Sequence, residues 1–180
     1  MTARILVVDD IPANVKLLEA KLSAEYYEVL TASNGRECLD VAAHNSPDLI
    51  LLDIMMPGMD GFEVCQHLKE NEATAHIPVV MVTALSEISD KVKGLDAGAD
   101  DFLSKPVNDT ALFARVRSLL RLKMMMDELR VRQESYGQLG IMENRDAETG
   151  DQARILVVEN STFTARRLTT YLADGGHEVE

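Results

Sequence analysis

Residues 48–61 read DLILLDIMMPGMDG. Leu49, Ile50, Leu51 and Leu52 form an apolar run without alternation, the pattern of a strand covered on both faces. The run ends on a carboxylate, Asp53, and the turn-forming PGMDG separates it from a segment of helical period bearing Phe62, Cys65 and Leu68. The same strand-then-helix order is found on either side. ILVV (5–8) precedes a helix with Val15, Leu18 and Leu22, and YEVLTA (27–32) precedes a helix from about Gly35 to Asn45. PVVMVTA (78–84) leads to a helix with Ile88, Val92 and Leu95, and DDFLSKP (100–106) to a last helix starting near Asp109. Five successive βα units predict an α/β domain, a parallel sheet with helices on both faces.

Ligands of such open sheets bind beyond the carboxyl ends of the strands, near the switch in strand order. The polar residues at those ends are Asp9 and Asp10, Asp53, Thr83 and Lys105. Each has an ordinary structural explanation: an Asp pair suits turns and helix caps, Asp53 can end a strand, Thr83 is β-branched, Lys105-Pro106 makes a turn and Phe102 fills a core. Together they describe a chemistry. Three acids at one rim repel one another unless a cation compensates them. Mg²⁺ takes oxygen ligands and usually only one or two carboxylates, so Asp10 and Asp53 are candidate direct ligands and Asp9 an outer one holding a bound water. Lys105 and Thr83 offer an ammonium and a hydroxyl to phosphoryl oxygens at the same rim. Asp53, central between the metal side and the Lys-Thr side, is the candidate nucleophile.

Composition narrows the classes of function. The 180 residues are 46% hydrophobic and 27% charged, and the formal net charge is −12, which repels nucleic acid and anionic membrane surfaces. Direct DNA binding is not expected. No apolar run has the length of a membrane span, no signal segment precedes the first strand, and a cytoplasmic protein is expected. Cys38 and Cys65 fall on apolar helix faces and are expected in the core. The four histidines lack ligand spacing.

Residues 3–10 read ARILVVDD and residues 153–160 read ARILVVEN. Leu18 and Leu22 recur as Leu168 and Leu172, and Glu28-Val29 as Glu178-Val179, so a β-α-β opening is repeated. About 30 residues are too few for an independent core, and the expectation is a chain that stops inside its second domain. The domains expected are 1–123, the first βα array; 124–152, an extended helix and linker; and 153–180, the truncated repeat. Leu112, Leu119, Leu122, Met126, Leu129 and Tyr136 keep an approximate heptad stripe along the last helix. It either projects towards a partner helix or packs along its own domain. Gly137 to Asp151 reads as a linker.

Residues 3 to about 123 resemble the receiver domain of two-component response regulators, in VVDD (7–10), LLDIMMPGMDG (51–61), VTA (82–84) and SKP (104–106). The resemblance implies a flavodoxin-like fold with strand order 2-1-3-4-5. It implies Asp53 as phosphoacceptor from a sensor histidine kinase or phosphotransfer protein. It also implies Mg²⁺ held by Asp10, Asp53 and the backbone carbonyl of Met55, with Asp9 acting through water. Thr83 and Phe102 match the family's switch pair, and Lys105-Pro106 its Lys-Pro step, usually a cis peptide. The runs ARILVVDDIPANVKLLEAKL (3–22) and FARVRSLLRLK (113–123) are similar to PleD-type regulators. That similarity implies dimerisation on phosphorylation through the face of the fourth helix, fifth strand and fifth helix, and control of a diguanylate cyclase making cyclic di-GMP. Asn160 lacks the charge of Asp10, and the second copy looks like an adaptor receiver. Two other readings stay open. One is a Mg²⁺-dependent phosphatase, although Ile54 and Met55 follow Asp53 where a second acid would stand. The other is a pseudo-receiver, an interaction module independent of phosphorylation. A nucleotide-binding Rossmann domain is disfavoured, because no Gly-rich loop follows the first strand.

Overall fold

A computed structural model describes residues 2–84, 88–138, 154–155, 168–173 and 178–179. The chain divides into two compact units, Met1–Glu134 and Ser135–Glu180. The first alternates β1 (Arg4–Val8), α1 (Pro12–Ala24), β2 (Glu28–Ala32), α2 (Gly35–Asn45), β3 (Leu49–Asp53), α3 (Gly61–Glu70), β4 (Val79–Thr83), α4 (Ile88–Asp96), β5 (Asp101–Ser104) and the start of α5 (Asp109–Gln138). The five strands form one sheet in the order β2-β1-β3-β4-β5, and every pairing is parallel. Fold and strand order are those the sequence implied.

Local chemistry sets the helix starts. Pro12 occupies the first turn of α1, where its missing N–H costs nothing. The side chain of Asn34 caps α2 by accepting from the Glu37 N–H at 3.0 Å. Asp60 and Glu63 form a reciprocal capping box on α3, at 2.9 and 3.1 Å. This box fixes α3 immediately after the turn that follows Asp53.

Alternation along the strands divides the core in two. Leu6, Val8, Ile50, Leu52, Val79 and Met81 face Cys38, Ala42, Val64, Cys65, Leu68 and Ala97 from α2, α3 and the end of α4. Ile5, Val7, Leu49, Leu51, Val80 and Val82 face Leu18, Leu22, Leu112, Val116 and Leu120 from α1 and α5. Each fully buried Leu or Ile contributes about 1.5–3 kcal/mol of transfer free energy. Cys38 and Cys65 are free core thiols, and burial pushes them up to about 12 and about 11.

Two helices differ from the face their apolar residues mark. On α4, Val92 and Leu95 are exposed while Gly94 is buried, as is Ala97 just past the helix end, because small residues let the helix backbone approach the sheet. On α5 the stripe against the sheet is Leu112, Val116 and Leu120, and the next positions on that side are Lys123 and Asp127. Lys123 bonds Asp127 at 2.6 Å and Asp48 at 3.3 Å. Leu122, Met126 and Leu129 therefore point away from the sheet. The helix also continues through Gln138, so Gly137 lies within it. One glycine costs a helix only about 1 kcal/mol.

In the second unit, Arg154–Ile155 pairs in parallel with Glu178–Val179, and residues 168–173 are helical. The register Arg154↔Glu178 reproduces Arg4↔Glu28 of the first unit. Glu159, Asn160 and the remainder of the expected linker lie outside the described residues. Among the described residues, no helix is long and apolar enough to cross a membrane.

Candidate functional site

The parallel register ends the three central strands at one rim. Asp53 is the last residue of β3 and pairs with Val82, Thr83 is the last of β4 and pairs with Ser104, and Asp9 and Asp10 follow β1 directly. The Lys105 N–H donates to the Thr83 carbonyl at 2.8 Å, which extends the β4–β5 pairing by one step and brings the lysine to the rim. The Lys105-Pro106 peptide is cis.

Asp9 and Asp53 are buried, at 2% and 3% residue exposure, as is Thr83. Lys105 Nζ lies 2.7 Å from Asp9 Oδ2 and 3.0 Å from Asp53 Oδ2. Burial pushes the Asp53 carboxyl above the ordinary carboxylate range, aided by the nearby charge of Asp9. Hydrogen bonds from Lys105 and the Met55 backbone oppose the shift without cancelling it. Burial alone would lower Lys105; its hydrogen bonds to Asp9 and Asp53 and their charges outweigh that and hold the ammonium above the usual lysine value.

One oxygen each from Asp9, Asp10 and Asp53 lies within 4.8 Å of the others. Such a set of hard oxygen donors, two of them buried and with a net negative charge that a single lysine does not neutralise, fits a small divalent cation. The Met55 side chain is exposed, while its backbone lies beside Asp53. Gly61 makes this crowding possible. A Cβ there would stand 2.4 Å from the Asp53 carbonyl oxygen and 2.7 Å from the Ile54 Cα, so only glycine lets α3 begin this close to the acid.

Phe102 is one residue from the buried Leu103 and lies opposite Met81 in the register. It is partly buried against the core under α4, with its ring edge directly below Gly94. Of the residues expected at the site, Asp9, Asp53 and Lys105 are in direct contact, Asp10 completes the acidic cluster, and Thr83 and Phe102 occupy adjoining strands.

Sequence reasoning missed Asn14. Its side-chain amide bonds both oxygens of Asp9, each at 3.0 Å, from the first turn of α1. Asparagine is a poor helix former, and its place one turn past the Asp pair was the available signal.

The sequence pattern described as response regulator receiver domain matches residues 5–117. Response regulator PleD of Caulobacter vibrioides is 54% identical over 173 residues, covering 96% of this chain and 38% of the relative. The DNA-binding dual master transcriptional regulator RpaA of Synechocystis sp. is 49% identical over 118 residues, 66% of this chain and 49% of that protein. The chain thus spans less than half the length of these curated relatives. Among solved structures, a CheY-like response regulator receiver domain protein from Methanospirillum hungatei superposes with a TM-score of 0.66 at 30% identity, covering 70% of this chain and 99% of that one. A putative response regulator from Chloroflexus aurantiacus gives 0.65 at 36% identity, covering 67% and 99%. The rim of buried acids bridged by Lys105 thus sits on a sheet whose sequence and topology agree: the chain belongs to the response regulator receiver domain family.

Proposed function

We propose that Asp53 is the phosphoacceptor of a two-component receiver, taking its phosphoryl group from a sensor histidine kinase or a phosphotransfer protein. The observation that carries this reading is the bridge from Lys105 Nζ to the buried carboxylates of Asp9 and Asp53. In the transfer, an Asp53 carboxylate oxygen attacks phosphorus, the phosphorus–nitrogen bond of the donor breaks, and the imidazole leaves and takes up a proton. Phosphoryl transfer depends chiefly on positioning and charge neutralisation. Lys105, already between two acids, shifts its hydrogen bonds to the new phosphoryl oxygens, and Thr83 offers its hydroxyl on the β4 side.

The residues that would hold Mg²⁺ are Asp10, Asp53 and the Met55 carbonyl, with Asp9 as an outer partner through water. When bound, the ion supplies charge neutralisation of the phosphoryl oxygens. The phosphoryl group adds roughly −1.5 to −2 charge at neutral pH. In this reading it draws Thr83 inward, lets Phe102 turn behind it, and shifts the face of α4, β5 and α5 towards a homodimer. The similarity to PleD supports a longer parent protein, cytoplasmic, whose output is a diguanylate cyclase controlled by that dimer.

Intact mass after treatment with acetyl phosphate tests the reading. One phosphoryl adduct is expected with Mg²⁺, little without it, and peptide mapping should place it on Asp53. Asp53→Asn should lose both the adduct and phosphodonor-dependent dimerisation. A dimer that forms equally in Asp53→Asn would overturn the mechanism, and an adduct elsewhere would overturn the assignment of the acceptor.

A further inference from the structure

We propose that Asn14 is a positioning residue of the acidic rim, whose side-chain amide fixes the carboxylate plane of Asp9 so that it serves as an outer partner of the cation. The inference rests on the Mg²⁺ reading above.

The geometry is specific. A carboxylate has about four acceptor positions, and Asp9 accepts from three donors, one of them shared between its two oxygens, which leaves room for a further donor such as a bound water. Oδ1 accepts from the Ile11 N–H at 2.9 Å and from Asn14 Nδ2 at 3.0 Å; Oδ2 accepts from Asn14 Nδ2 at 3.0 Å and from Lys105 Nζ at 2.7 Å. The terminal torsion of an aspartate is soft and roughly two-fold. A donor that bonds both oxygens lies between them and sets that torsion, which a single contact to one oxygen does not. Asn14 thus fixes the plane of the carboxylate, and with it the edge turned to Lys105 and the acidic cluster.

The helix that carries Asn14 also reaches the other partner. Lys21 lies seven residues further along α1, about two turns, and so on the same side of the helix. Its Nζ pairs with Asp109 and donates to the Val107 carbonyl at 3.4 Å. The first turn of α1 therefore holds Asp9, and its last turn holds the loop that leads from Lys105 into α5. When Lys105 turns from Asp9 to a phosphoryl oxygen, Asn14 and the Ile11 N–H remain to keep Asp9 in place. Groups that orient a metal's partners commonly change affinity by about 10–100-fold when removed.

The test is titration calorimetry of MgCl₂ into the full chain, comparing wild type with Asn14→Ala and Asn14→Leu, alongside melting temperatures in chelator. Alanine favours the helix and leucine matches asparagine in size, so both should fold. Each is expected to bind Mg²⁺ about tenfold more weakly and, having lost the donor to both oxygens of a buried carboxylate, to melt somewhat below wild type while still folding. Wild-type binding with unchanged or tighter binding in both variants refutes the role of Asn14 alone. A lower melting temperature with unchanged affinity refutes it in favour of a purely structural contact. Absence of Mg²⁺ binding by the wild type refutes the Mg²⁺ reading and this inference with it.

Discussion

Lys105 Nζ stands 3.0 Å from Asp53 Oδ2 and closer still, 2.7 Å, to Asp9 Oδ2, so one ammonium is shared by two buried carboxylates. Removing one partner of such a group leaves the others uncompensated, and that loss exceeds the net worth of the contact itself. Lys105→Met should cost about 2 kcal/mol at neutral pH, measured by urea unfolding in chelator. Asp53→Asn should gain more stability in that background than in wild type, because there it removes one of the two stranded charges. If the two substitutions are simply additive, Lys105 and Asp53 are not coupled in the way the distances state.

Asp53 alone makes the opposite prediction. Its folded carboxyl titrates above the ordinary value of 3.8, chiefly through burial, so the folded state disfavours its charge. The associated stability is fully present below the unfolded pKa and is lost as pH rises through the raised folded one. Asp53→Asn should consequently be more stable than wild type at pH 7, with the gap closing below about pH 4, near the unfolded pKa. Melting temperature against pH in chelator checks it. A variant less stable than wild type at pH 7 would mean that the pairing with Lys105 outweighs burial.

The seat of Phe102 can be probed from α4. A Cβ on Gly94 would stand 2.4 Å from the ring Cζ, 2.7 Å from Cε1 and 2.8 Å from Met81 Sδ. Gly94→Ala must displace the ring or lift the helix, and overpacking of this kind costs about 1–3 kcal/mol. The cost should shrink when Phe102→Ala is already present, because the main obstacle has gone. An equal penalty in both backgrounds, by chemical denaturation, would place the obstacle elsewhere.

What was legible at the rim was legible for a geometric reason. A parallel strand delivers its last residue to a known edge, so Asp9, Asp53, Thr83 and Lys105 could be collected from the ends of their apolar runs. Asn14 could not, because its contribution depends on the direction of one amide across a helix turn. The apolar period also misled where backbone approach, and not side-chain size, decides packing. At α4, Gly94 and, just past the helix end, Ala97 are buried while Val92 and Leu95 are exposed, and on α5 the inner stripe turns polar at Lys123 and Asp127.

That change of face on α5 supports the last prediction. Leu122, Met126 and Leu129 are 54%, 61% and 53% exposed, and their spacing of four and then three residues makes one seam on the helix. Since Lys123 and Asp127 satisfy each other and Asp48 on the inner side, the seam is available to a second copy without disturbing the domain. Met126→Glu with Leu129→Glu should weaken phosphodonor-dependent dimerisation at least tenfold, leave the extent of Asp53 modification unchanged, and shift monomer stability by no more than about 0.5 kcal/mol, as substitutions at exposed positions do. Sedimentation with and without acetyl phosphate and Mg²⁺ reads the first effect, and intact mass reads the second. A dimer of wild-type strength in the doubly charged variant would show that the assembling face lies elsewhere on the domain, since two carboxylates in each copy would oppose each other across any contact made along this seam.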